Sequence, residues 1–221
     1  MVRREGPDAA APVENPSMTP SSTRRGATRQ RLFDAAVTLI AEQGFSSTTV
    51  DQIAERAGVA KGTVYYNFAS KTELFENLLR DGVTPLTVAL RSAARSAYAA
   101  GGGAADALEA MAAAGLDFVI SRPDFTRLLV AEQWRTNRSW QPTLLDVHRQ
   151  VSGAVEEVLQ EGVKSGEFDP SLDIQITAGA LVGMVVVGAL DWQSFHPGRS
   201  LEDVRAALSP LVRGGLARRP G

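Results

Sequence analysis

Between residues 49 and 71 the chain reads TVDQIAERAGVAKGTVYYNFASK, and the side chains there suit non-covalent capture of a polyanion. Lys61 can pair with a phosphate or with guanine. Thr63 and Asn67 can bond base edges or phosphate oxygens. Tyr65 and Tyr66 can donate to phosphates and touch thymine methyls, and Gly62 lets a backbone approach closely. Covalent chemistry has no comparable set of residues. The chain has no Cys, and its two His, 148 and 196, lie far apart without ligand-spaced companions. No G-x-S-x-G, Gly-rich phosphate loop or zinc pattern is present. The sequence therefore points to a DNA-binding protein, not an enzyme, and implies no metal or cofactor.

Such a set must be held by short crossed helices, and the same stretch provides them. Thr49 can cap a first helix, with Gln52 closing a capping box. Ile53, Ala54 and Ala57 share one face, and Ala54 is small enough for a close crossing. Gly58 sits where the chain must turn with positive φ. Val59 and Val64 can plug the angle between the helices, and Phe68 lies one turn after Val64 on the same inward face. The second helix is predicted over 61–68, which leaves Lys61, Gly62, Thr63, Tyr66 and Asn67 outward. Ser70 and Glu73 form a second capping box, with Lys71 in the first turn of the helix that follows. Upstream, residues 27–43 place Leu32, Ala36, Leu39 and Ile40 on one stripe, ended by Gly44. This is a helix-turn-helix with its supporting helices.

The run from Thr28 to Leu79 resembles the N-terminal domain of the TetR family of bacterial one-component regulators. The match is carried by Ala35-Ala36, Gly44-Phe45, Thr49-Val50, Ile53-Ala54, Ala57-Gly58-Val59, Lys61-Gly62-Thr63-Val64-Tyr65, Phe68, Lys71 and Leu74-Phe75. The resemblance implies that Thr49, Thr63, Tyr65, Tyr66, Asn67 and Lys71 take the DNA-contacting places. Three positions depart from the family pattern. Ala60 stands where a capping Ser is frequent, Asp51 where a base-reading residue such as Arg is frequent, and Asn67 where His is frequent. These departures bear on the operator sequence and leave the fold untouched.

The net charge of −2 is distributed unevenly. Residues 24–80 carry eight Lys/Arg against six Asp/Glu, whereas residues 81–221 carry thirteen against sixteen. Positive charge is thus local to the proposed DNA domain. Arg24, Arg25, Arg29 and Arg31 cluster at its start, where they can neutralise phosphates or enter a minor groove. Residues 1–23, rich in Pro, Ala, Ser and Thr, are expected to form a disordered arm. That start lacks the apolar run of a signal peptide, and the longest apolar stretch, about Ala178 to Leu190, is short for a bilayer span. A cytoplasmic protein without a membrane partner is expected.

The division is then 1–23 arm, 24–80 DNA-binding domain and 81–221 effector-binding and dimerisation domain. The fold class is all-α, with about nine helices. After Leu79, helices are expected over 84–100, 104–121, from Pro123, over 140–165, 171–194 and 200–216. ITAGALVGMVVVGAL is apolar nearly all round, so its helix should be buried in a core and against a second subunit. Leu201, Val204, Leu208, Leu211 and Val212 give the last helix a stripe. By resemblance, the last two helices (about 172–195 and 200–216) pair with their copies in a homodimer. The resemblance also implies an effector pocket between the middle helices, with Met111, Phe118, Phe125, Leu128, Trp134, Val151 and Met184 as candidate walls and a mostly apolar small molecule as ligand. Trp140 and Trp192 are further large apolar candidates. Glu132 and His148 are expected to be exposed. The function implied is a repressor released from a palindromic double-stranded operator by that ligand; a corepressed or ligand-independent regulator is the alternative.

Overall fold

A computed structural model describes residues 20–133, 135 and 138–214, with side chains from residue 26 onward. Trp134 and residues 215–216 therefore lie outside the described residues. Nine helices account for nearly all of the described chain: α1 Pro20–Gln43, α2 Val50–Ala57, α3 Lys61–Asn67, α4 Lys71–Ala99, α5 Ala104–Ser121, α6 Pro123–Gln133, α7 Gln141–Ser165, α8 Ile174–Phe195 and α9 Leu201–Gly214. Helix α1 starts at Pro20 rather than near residue 27. Proline is well suited to a first helical turn, where its missing N–H costs nothing.

Helix α4 corrects the expectation of two helices divided near residues 80–84. It runs unbroken for 29 residues through Pro85, a length of roughly 43 Å at 1.5 Å per residue. Its inward face explains the persistence. Leu74, Phe75, Leu78, Leu79, Val83, Thr87, Leu90 and Ala94 are all buried, so one apolar stripe continues past the proline. The Thr84 hydroxyl donates to the Arg80 carbonyl at 2.9 Å and that of Thr87 to the Val83 carbonyl at 3.2 Å. Helices α1–α3 and the remaining bundle are thus joined through one continuous helix.

Helices α4, α5 and α7 enclose the main core, with α8 laid across α5 and α7. At the α5 start, Glu167 accepts from the backbone N–H groups of Ala104 (2.7 Å) and Ala105 (2.9 Å), satisfying donors that a helix leaves free. Gly162 lets Phe168 lie directly on the α7 backbone; any Cβ there would overlap the ring.

Helix α8 is only partly covered by its own chain. Only Ala178, Val185 and Ala189 are buried within the single chain, while Ile176, Val187 and Phe195 are exposed. Its 22 residues also match a bilayer-crossing helix in length and composition, longer than the stretch read from sequence, because Gly179, Gly183 and Gly188 do not interrupt it. On α9 the expected stripe splits: Val204 and Val212 are buried, but Leu211 points outward.

Candidate nucleic-acid interface

The α2–α3 unit is locked from within. Gln52 N–H donates to the Thr49 hydroxyl at 3.2 Å, and Gln52 Oε1 accepts from Thr49 N–H at 2.8 Å, closing the capping box. Gly58 adopts φ 66°, and Val59 N–H reaches back to the Ala54 carbonyl at 3.0 Å. Ile53, Val64 and Phe68 are fully buried, so the wedge between the helices is apolar. Ala60 contributes no side-chain cap to α3; a Ser or Thr there is worth about 1 kcal/mol.

What α3 turns outward is mixed. Tyr65 is 50% exposed and Tyr66 73%, high for large aromatic side chains. Lys61 and Gly62 are also exposed, and Thr63 is half-buried. Lys61 is paired: its Nζ lies 2.8 Å from an Asp51 carboxylate oxygen. That hydrogen bond, and then the attraction of the carboxylate's charge, hold the ammonium above the usual lysine range. Asp51 on α2 thus tethers the lysine at the start of α3. Asn67 folds back on its own helix, its amide N–H donating to the Thr63 carbonyl at 2.7 Å.

Two basic residues of the proposed DNA surface make intramolecular bonds. Lys71 turns away from the first turn of α4 and donates to the carbonyls of Phe45 (2.8 Å) and Thr48 (2.7 Å), with its ammonium 4.3 Å from the centre of the Phe45 ring. Burial pushes its pKa down. The reason is local: the α1–α2 loop leaves carbonyls without helical partners, and a cation is the best donor for them. Arg29 is similarly drawn inward. It bonds Asp81 (3.0 Å) and Asn77 (2.9 Å) while stacking near Phe33 and Phe68. Arg24 and Arg25 fall in the first turns of α1, and their side chains lie outside the described ones.

Away from this surface, the structure brings the apolar candidates together. Met111, Phe118, Phe125, Leu128 and Val151 are buried in one core, and Met184 packs against it. Phe118 and Phe125 meet edge to face at 6.2 Å. Phe125 also lines a cleft of about 400 Å³ between α1, α4 and the α5–α6 turn, with Phe33, Leu78 and Arg122. His148 is exposed, as expected. Glu132 is not: it is buried and accepts from the indole N–H of Trp140 at 3.2 Å. Sequence pattern gives no sign of this, because a glutamate near a helix end ordinarily faces water.

A helix-turn-helix unit joined to a helical bundle, nine helices in all among the described residues, matches known regulators along most of its length. Residues 32–78 match the model of bacterial regulatory proteins of the tetR family, and residues 101–212 match a tetracyclin repressor-like C-terminal domain. The chain belongs to the TetR family. The HTH-type transcriptional repressor KstR2 of Mycobacterium tuberculosis is 31% identical over 203 residues, covering 89% of this chain and 94% of that protein. The HTH-type transcriptional regulator SrpR of Pseudomonas putida is 29% identical over 160 residues, 72% of this chain and 71% of SrpR. Among solved structures, the regulator FadR of Bacillus subtilis in complex with stearoyl-CoA superposes with a TM-score of 0.74 at 20% identity, covering 84% of this chain and 98% of FadR. This TetR-family chain is a DNA-binding transcriptional regulator.

Proposed function

We propose that the protein acts in the cytoplasm as a homodimer on a palindromic operator, and leaves it when a large, mostly apolar ligand enters among α5, α6, α7 and α8. The observation that carries the DNA half is the outward face of α3. Two exposed tyrosines, Gly62, Thr63, Asn67 and the tethered Lys61 stand on a wedge whose inner face is fully buried. Thr49 at the α2 start and Arg24 and Arg25 at the α1 start complete the proposed contact set, while Lys71 supports it from behind.

The dimer reading is supported by the apolar side chains that α8 and α9 leave exposed, Ile176, Val187, Phe195 and Leu211. Large apolar side chains left uncovered on two consecutive helices suit a partner surface. Two-fold pairing there sets two recognition helices for half-sites about 34–36 Å apart, or a multiple of that. The ligand reading rests on the convergence of Met111, Phe118, Phe125, Leu128, Val151 and Met184. Trp134 belongs to the same proposal from sequence alone. The FadR structure holds stearoyl-CoA, and KstR2 of M. tuberculosis is a ketosteroid transcriptional regulator. An acyl or steroid skeleton is therefore the class to test.

The experiment is selection of bound DNA from a random pool by the full-length protein, followed by challenge of the enriched site with long-chain acyl-CoAs and steroids. A palindrome released by one of these classes is the expected result. Enrichment of a non-palindromic site would sink the dimer reading. A ligand that tightens binding would make the protein a corepressed regulator.

A further inference from the structure

We propose that Trp140 is a positioning residue for DNA reading, an aromatic strut that fixes the α1–α2 loop from the ligand-binding side of the molecule. This rests on the reading of α3 as the DNA-contacting helix. Trp140 stands at the entry to α7 and is 3% exposed. Its ring centre lies 4.3 Å from that of Phe45, in the loop between α1 and α2, and 5.0 Å from that of Phe75 on α4; Phe45 and Phe75 are themselves 5.1 Å apart. Three rings from three segments thus close on one another, in the tilted and edge-on arrangements that aromatic pairs favour.

Both ends of the strut are fixed. On the ligand side, the indole N–H donates to the buried carboxylate of Glu132 on the last turn of α6. A buried carboxylate without its partners is costly, so this bond pins the ring's orientation. Arg135 lies 3.5 Å from the other Glu132 oxygen. One turn into α7, Thr143 accepts from Arg80 of α4 at 2.7 Å. On the DNA side, Lys71 sits over the Phe45 ring and holds the carbonyls of Phe45 and Thr48. Thr48 is buried and immediately precedes Thr49, the cap of α2.

A continuous set of packed groups therefore runs from the end of α6 to the start of the helix-turn-helix, independent of the covalent path along α4. Helices α6 and α7 carry Phe125, Leu128 and Val151, three of the proposed ligand contacts. Any change in the spacing of these helices moves Trp140 against Phe45, and with it the frame that sets α2 and α3 relative to α4. A close-packed ring cluster has few alternative arrangements, so such movement is transmitted rather than absorbed.

The test uses the full-length protein and the DNA enriched by selection, with a scrambled duplex as control. In a Trp134→Phe/Trp192→Phe background Trp140 is the remaining indole, and its emission should change on saturation with the selected DNA and not with the scrambled one. Trp140→Ala, assayed at a temperature where circular dichroism shows it fully folded, should bind the selected DNA at least fivefold more weakly, with an unchanged salt dependence because no phosphate contact is removed. Trp140→Phe, which keeps a ring, should bind within about twofold of the parent. Combining Trp140→Ala with Phe45→Leu should cost less than the product of the two single losses, since both break one contact. Folded Trp140→Ala with parental affinity, silent Trp140 emission, or fully multiplicative losses would each overturn the proposal. Tyr66→Ala serves as the control: unimpaired binding by that variant would indict the reading of α3 itself, separately from the strut.

Discussion

Replacing Lys71 with Ala separates a structural lysine from a phosphate-gripping one. The side chain spends two of its three N–H groups on the carbonyls of Phe45 and Thr48, at 2.8 and 2.7 Å. Bonds from a charged donor contribute about 1.5–3 kcal/mol each when buried. Lys71 is only partly buried, and water can reach the carbonyls once it is gone, so about 2–4 kcal/mol is expected for the pair together with the ring contact. In a chain of this size each kcal/mol lowers Tm by roughly 2–4 °C. Lys71→Ala should therefore melt about 5–15 °C below the parent by circular dichroism. DNA affinity should also fall, because the loop that precedes Thr49 loses its anchor. The dependence of log K on log salt should keep its slope, since loss of a phosphate contact would reduce it by about 0.9. An unchanged Tm together with a slope shallower by that amount would refute the structural assignment and return Lys71 to the phosphate backbone.

Other variants probe other contacts. Asp51→Asn removes the carboxylate that holds Lys61 at 2.8 Å; binding to non-specific duplex should strengthen, and the salt slope should steepen by up to about 0.9 as the freed ammonium finds a phosphate, as measured by fluorescence anisotropy at several salt concentrations. Gly162→Ala places a methyl into the Phe168 ring and against Ala104, and should cost about 1–3 kcal/mol in urea denaturation, the usual range for overpacking. Arg213 bonds Asp106 and Glu109, and these bonds hold both carboxyls below their ordinary range. Groups with depressed folded-state pKa stabilise the protein fully above the unfolded-state values and lose that contribution as pH falls through the folded ones. The α5–α9 contact should therefore weaken only below about pH 4.5, near the unperturbed carboxyl values, and Arg213→Ala should flatten the decline of Tm with acid over that window.

Much of the DNA-reading unit was legible in the sequence because its determinants are local. The Thr49–Gln52 capping box, the turn at Gly58 and the wedge of Val64 and Phe68 each follow from residue type and spacing over a few positions, and each is found as read. The errors arose where a side chain's partner is distant in sequence. The intramolecular partners of Lys71 and Arg29 are not legible in the sequence because the carbonyls of Phe45 and Thr48, and the acceptors Asn77 and Asp81, lie 23–52 residues away. Glu132 was expected in water because nothing nearby in sequence shows that Trp140 would fold over it. The continuity of α4 from Lys71 to Ala99 is likewise not legible locally, since it is the stripe buried against other helices on both sides of Pro85 that carries the helix through.

Residue order alone carries most of the helix caps and turns, the helix-turn-helix and the family, since caps, turns and apolar periodicity act within a few residues of one another. Packing sets which charges are held by intramolecular partners, which apolar residues share one core, and which faces of α8 and α9 their own chain leaves uncovered. Those outcomes depend on packing between segments far apart in the chain, where burial and hydrogen-bond partners are set by geometry and residue type alone does not specify them.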